Sequence, residues 1–387
     1  MNQEFLYQCL RSSLTKDINK LSNILKHNHS INIESFIKTV LRHRIVIPIY
    51  EILKQVPSNN ILNEILSQLK PIYRNNKIAA LSITTATINV IKNLQQNNLV
   101  VIPLKGQFLS HYLFGEIAKR SSGDIDLLIK FKDLPKADNI LKSLDYLPYY
   151  ETSSLVGSKR KMLKNTHKDI FYQKKNNFPI ELHWSFFPGI TIPNIFKDVV
   201  PETILNTQIT RLSDINSFLY LCLHGSKHQY EKLNWLHDVA AFIHNKKINL
   251  YLLYNKSVLC GLDRSVLQTY VLLQNIYDIE IPNNLIRKAN QSKVTNLLIK
   301  IAMNKIKKEK NQDKISVLRN KIEEIIYRLC FKKNIKYKIT YLKSALLGNY
   351  DLNKTIIPNR LLFISYITQP LINFLKYTST KMESESL

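Results

Sequence analysis

The pattern of apolar residues predicts an α+β chain, mostly helical, with one small mixed β-sheet between N-terminal and C-terminal helical regions. Apolar residues recur at helical spacing over residues 1–95 and again from about residue 212, while the span between holds short β-branched runs bounded by turn residues. At 387 residues the chain can bury a large core and form two or three domains, and it shows no repeat or low-complexity block. The expected division is a helical region over 1–95, an α/β core over 96–210, a helical region completing a cleft over 211–290 and a basic helical region over 291–387.

The first region carries its apolar stripe on residues such as Ile24, Leu25, Ile33, Phe36, Ile37, Val40 and Leu41, with breaks near Asn28–Ser30 and Pro57–Asn60. A helix through Ala79, Ala80, Ile83, Ala86, Val90 and Ile91 then leads into Asn98–Leu104, which reads as a buried strand ending at Lys105-Gly106. Gln107–Phe114 has helical spacing, with Phe108, Leu109, Tyr112 and Leu113 on one side. After Arg120 comes Ser122-Gly123-Asp124-Ile125-Asp126, heading the apolar run Leu127-Leu128-Ile129. Asp169–Gln173 and Phe178–Trp184, joined by the turn Lys174–Asn177, predict a hairpin. From about residue 212 the pattern is helical, with boundaries at Gly261-Leu262-Asp263 and Pro282-Asn283-Asn284.

Asp124 and Asp126 are the informative pair. In a strand, positions i and i+2 project from one face, so both carboxylates aim at one point while Ile125 enters the core. Converging oxygen donors suit a hard divalent cation such as Mg²⁺. Gly106 lets a ligand approach the backbone at a helix start, where free N–H groups favour an anion. Lys105 adds a point charge and Arg120 a planar fork, so phosphate and metal can meet between the two strands, as a nucleoside triphosphate requires. Glu181, alternating with Ile180 and Leu182, is the favoured third carboxylate, with Asp169 and Glu151 as competitors. His183 is either its neighbour at the metal or a satisfied core histidine.

Leu104-Lys105-Gly106, Arg120–Ile129 and Ile180-Glu181-Leu182-His183-Trp184 resemble the uncharacterised nucleotidyltransferase family of the DNA polymerase β-like superfamily. The resemblance continues in Leu223–His228 and Leu233–Ala240 and covers about residues 90–250. It implies a metal-dependent transfer of a nucleoside monophosphate from an NTP to an acceptor, with release of pyrophosphate. Asp124, Asp126 and Glu181 would then be the catalytic metal-binding carboxylates, for Mg²⁺ or Mn²⁺, with Lys105 and Arg120 helping to hold the phosphates. Gly106, Ser122, His228 and Asp238 complete the candidate nucleotide-binding set. In the wider superfamily a Gly-Ser pair opens the helix; here it is Gly106-Gln107, and Lys105 is the substitute for the missing hydroxyl.

His224 and His228 share a helical face, where they either grip a metal or pack as core histidines. Asp238, three residues after Trp235, either binds sugar or base, orients His228 or pairs with a lysine. The acceptor is left open between protein, small molecule and RNA. The alternative reading is a non-catalytic nucleic-acid-binding or scaffold protein with a vestigial core.

Lys and Arg total 55 against 29 acids, a net charge of +26, which suits a polyanionic partner, although a Lys-, Asn- and Ile-rich composition also follows from codon bias. Residues 300–343 hold 14 Lys or Arg and 4 Asp or Glu, with Ile301, Ile306, Ile315, Leu318, Ile322, Ile325, Ile326 and Leu329 at helical spacing. That is either a basic helical surface for nucleic acid or an anionic membrane, or a solvated face over a helical core. Cys9, Cys222, Cys260 and Cys330 have no paired spacing, which fits a reducing compartment and a cytoplasmic location. The N-terminus lacks a signal-peptide pattern, and Leu361–Leu375 is too interrupted to span a bilayer, so no transmembrane segment is expected.

Overall fold

A computed structural model describes residues 2–27, 31–152, 155–307, 314–347, 352 and 359–369. The chain opens with five helices: α1 (Asn2–Thr15), α2 (Asn19–His27), α3 (Ile33–Arg42), α4 (Val46–Leu53) and α5 (Asn60–Gln96). Asn32 and Asn59 accept hydrogen bonds from the backbone N–H groups of Ser35 and Leu62, satisfying donors that have no partner within α3 and α5. The 37-residue α5 links two cores. Leu62, Ile65 and Leu69 enter a core shared with the other helices, and Ile83, Val90, Ile91 and Leu94 enter one beneath the sheet. The expected break at Asn28–Ser30 lies outside the described residues.

The strand expected over Asn98–Leu104 is shortened to β1 (Ile102–Pro103). The end of α5 consumes its first residues: Asn98 takes φ +58° and the Leu99 N–H still donates to Leu94 O, so extended backbone begins only afterwards. There follow α6 (Gln107–Phe114), β2 (Ile125–Leu128), α7 (Leu134–Ser143), β3 (Leu147–Pro148), α8 (Gly157–Thr166), β4 (Asp169–Gln173) and β5 (Ile180–His183). The sheet order is β1-β2-β5-β4-β3, with β2 and β5 parallel and the other pairs antiparallel, so the expected β4–β5 hairpin forms. Ile125, Leu127, Ile170, Tyr172, Ile180 and Leu182 point to the sheet core, which leaves Asp126, Glu181, His183, Asp169 and Phe171 on the opposite face.

A second ribbon, β6 (Val199–Ile204) and β7 (Thr207–Leu212), turns through Leu205-Asn206, both at positive φ; it lies at the end of the span expected as α/β core, where the sequence reading singles out no strand. Helices follow: α9 (Asp214–Lys227), α10 (Leu233–Lys246), α11 (Leu250–Cys260), α12 (Asp263–Tyr277), α13 (Asn283–Gln291), α14 (Lys293–Lys307), α15 (Lys314–Leu329) and α16 (Ile335–Leu347). The expected boundaries at Gly261 and Pro282 are the C-cap of α11 and the N-cap of α13. Ile301 and Ile306 are buried as expected, but Ile322, Ile325 and Ile326 face solvent. Tyr327 and Phe331 decide this orientation: both are fully buried, and the Tyr327 hydroxyl bonds Gln268, so the isoleucine stripe turns outward. Side chains of Ile315 and Leu318, and residues 370–375 of the late apolar segment, lie outside the described residues. Among the described residues no helix is long and apolar enough to cross a membrane.

Candidate active site

Strand register builds the centre of the site. Asp126 lies opposite Glu181 across the parallel β2–β5 pair, and Leu128 lies opposite His183. His183 Nε2 is 3.0 Å from Asp126 Oδ1 and 3.3 Å from Glu181 Oε2. One donor atom from each of Asp126, Glu181 and His183 falls within 4.8 Å of the others. His183 Nδ1 is 3.3 Å from Asp169 Oδ2, the position from which a carboxylate orients a metal-binding imidazole. Asp169, the competitor for the third carboxylate, thus reaches the group through His183.

Asp124 precedes the strand and stands apart from this triad. Its carboxylate accepts a hydrogen bond from the Ser122 hydroxyl at 3.1 Å and lies 3.3 Å from Lys105 Nζ. Lys105 also stands 2.9 Å from Asp126 Oδ2, so one ammonium bridges the two aspartates. Burial works against that charge, but Asp126, Asp124 and Glu181 outweigh it and raise the Lys105 pKa. Burial likewise opposes the carboxylates, yet Lys105 and His183 hold Asp126 below its ordinary value, and His183, Lys168 and Lys105 do so for Glu181. His183 is shifted up: burial disfavours its charge, and Asp169, Asp126 and Glu181 override it.

Gly106 opens α6 at φ +74° and ψ −142°, a conformation open to glycine and strained for any other residue. Gln107, in the place of the superfamily serine, is buried and donates from Nε2 to Arg120 O. A hydroxyl nevertheless faces the turn, because Ser122 Oγ lies 3.6 Å from where a Cβ on Gly106 would be. Arg120 donates from Nε to both oxygens of Asp238 at 2.9 Å, and both side chains are buried. Asp238 therefore meets the site through Arg120, and burial, larger than the pull of Arg120, raises its pKa.

Between these groups and the helices lies a cavity of about 310 Å³, lined by Arg44, Lys105, Arg120, Lys168, Lys227, Lys232 and Arg328 against Asp124 and Glu181. Ser122, His224, His228 and Trp235 complete its polar and aromatic wall. His228 stacks on Trp235 with centroids 4.7 Å apart, and His224 packs edge-on to both rings. Burial first, and Lys227 second, push both histidines well below their ordinary pKa, so they are neutral donors or acceptors at pH 7. Among the described residues neither ring nitrogen of His224 has a hydrogen-bond partner. Lys227 is 5% exposed, and burial together with Lys168 and Lys105 lowers its pKa to about 7. Seven cationic side chains against two carboxylates in one lining, with Arg120 and Lys227 buried, attract a compact polyanion.

Arg44, Lys168, Lys227, Lys232 and Arg328 escape the sequence reading. Lys227 had a faint signal, as the cation of the His224–His228 segment at the end of an otherwise apolar helix. Arg44 had none; Arg328 belongs to the basic stretch 300–343, expected as a separate surface, and its Nε donating to Lys227 O at 3.1 Å brings it to this cavity instead. The model of a family described as uncharacterised nucleotidyltransferase matches residues 29–278. No curated protein and no solved structure matches the chain.

Proposed function

Because the chain belongs to the uncharacterised nucleotidyltransferase family, we propose that it transfers a nucleoside monophosphate from an NTP to an acceptor hydroxyl, with a divalent cation held at Asp126, Glu181 and His183. The observation that carries this reading is the meeting of that donor triad with the cationic cavity at Glu181. Two ionised carboxylates and an imidazole fit a divalent ion, and the buried Asp126 Oδ2 already holds a positive charge, Lys105 Nζ at 2.9 Å. The imidazole favours Mn²⁺ over Mg²⁺, which prefers an all-oxygen set. A bound cation supplies charge neutralisation for the transferring phosphoryl group.

The chain's own residues do the rest. To hold the cation, His183 would release its Nε2 proton to water, with Asp169 on its other face. Lys105, which pairs with both aspartates, would turn to the triphosphate, and Asp124 would then be available as a further ligand. Arg120, fixed by Asp238, and Lys227, Lys232 and Arg328 take up phosphate charge, while Trp235 and His228 offer a stacking face to the base. The acceptor oxygen bonds to the α-phosphorus and the bond from that phosphorus to the β-bridging oxygen breaks. Pyrophosphate leaves with the electron pair, and the hydroxyl proton passes to water. Glu181, held below its ordinary pKa, serves better as a ligand than as a base.

Incubation with NTPs labelled at the α-phosphate and hydroxyl acceptors should attach label and release pyrophosphate only with a divalent cation present. Equal labelling by the wild type and the Asp124→Asn, Asp126→Asn double variant would overturn the mechanism.

A further inference from the structure

A second cleft, of about 840 Å³, also reaches Glu181. It shares Lys168, Glu181, Phe187 and Arg328 with the cationic cavity, so the two meet at that carboxylate. Sheet register sets out its floor. Asp126 pairs with Glu181, Glu181 pairs with Phe171, and the Tyr149 N–H donates to Phe171 O at 2.8 Å. These four residues form one row across β2, β5, β4 and the end of β3. With strands about 4.8 Å apart, aromatic surface begins about 5 Å from Glu181 and continues to about 10 Å, the span of one six-membered sugar ring with its reacting hydroxyl.

Both rings are open to solvent, Phe171 at 38% and Tyr149 at 70% exposure, although they lie in a cleft rather than on a convex surface. Large aromatics in a concave site are binding groups in waiting. The charge balance also differs from the cavity. Lys168, Lys321 and Arg328 face Asp169, Glu181 and Glu324, and Lys168 and Arg328 are paired with Asp169 and Glu324. A polyanion therefore gains little here. Gln173 and Ser344 supply neutral hydrogen-bonding groups at the edges. The far wall, with Ile325 and Tyr341, comes from α15 and α16, beyond the residues that the family model matches.

We propose that this cleft is the acceptor site and that it takes a neutral sugar, stacked by its C–H face on Phe171 and Tyr149 with one hydroxyl directed to Glu181. The weakly positive C–H face of a pyranose complements the negative face of an aromatic ring, and its hydroxyls suit the amide, hydroxyl and carboxylate rim. This assignment rests on the nucleotidyltransferase reading, so the test reads the two cavities separately. Saturation-transfer NMR on the full chain with the neutral methyl glycosides of glucose, galactose, mannose and N-acetylglucosamine should show transfer to ring C–H protons. That transfer should fall at least fivefold in Phe171→Ala and Tyr149→Ala while Mn²⁺–ATP binding, read by calorimetry, persists.

No transfer to any of the glycosides, with Mn²⁺–ATP still bound, would overturn the sugar assignment and leave the nucleotidyltransferase reading standing. Loss of Mn²⁺–ATP binding by the wild type itself would overturn that reading and this one with it. Glycoside transfer that survives both substitutions, or a single-stranded RNA that binds and is released by them, would equally refute the assignment.

Discussion

Lys227 should take up a proton when a triphosphate enters the cavity. Its ammonium is buried among Lys168 and Lys105, which holds its pKa at about 7. At pH 8 such a group is protonated to only about 0.1, whereas a lysine returned to an ordinary value near 10.4 is fully protonated. The negative charge of a bound triphosphate drives that return, so binding at pH 8 should absorb about 0.9 proton through this side chain. The phosphates do not obscure the count, because their second pKa, near 6, leaves them ionised at pH 8. Affinity should weaken by up to about tenfold per pH unit above 7; below about pH 6 Lys227 is already charged and only the titration of the phosphate itself remains. Calorimetry of metal-free ATP binding in buffers of different ionisation enthalpy, where no cation displaces the His183 proton, measures the uptake directly. Lys227→Met keeps the bulk and removes the titration, and its uptake at pH 8 should be near zero. Equal uptake by both proteins, or none by the wild type, would refute the reasoning.

Stability without nucleotide should carry the same signature with a fixed sign. The unfolded lysine binds its proton more tightly than the folded one, so wild-type stability should rise relative to Lys227→Met as pH climbs from about 7 towards 10; denaturant melts across that window check it. Asp238→Asn leaves the Arg120 guanidinium buried without its counter-charge and should cost about 3–5 kcal/mol. A denaturation midpoint unchanged from wild type would show that the pair is dispensable. Gly225→Ala places a Cβ 2.1 Å from Cε1 of Tyr230, whose buried hydroxyl is tied to Thr269 Oγ1 at 2.6 Å and so cannot swing clear. A loss of about 1–3 kcal/mol or more is expected in thermal melts, and a neutral result would mean that α9 shifts to make room.

Residue patterns along the chain already specify the mostly helical α+β class, the β4–β5 hairpin, α6 behind Gly106, and the placing of Asp126 and Glu181 at strands with their apolar neighbours turned away. These features are local: strand and helix periods lie within a few residues, and a carboxylate between buried neighbours must project to the other face. The extent of β1 was misjudged because the cap of α5 reaches past Asn97, a competition that apolar content does not reveal. Only the tertiary structure decided that β2 lies beside β5, so that His183 joins Asp126 and Glu181 while Asp124 stands with Lys105 and Ser122. It alone turned the isoleucines of α15 outward and brought Arg44, Lys227 and Arg328 to one cavity. The reason is physical: a lysine or arginine reads the same in a chain whether its charge ends in water or in a cavity. What separates the two is burial, and burial is a property of packing between segments far apart in sequence.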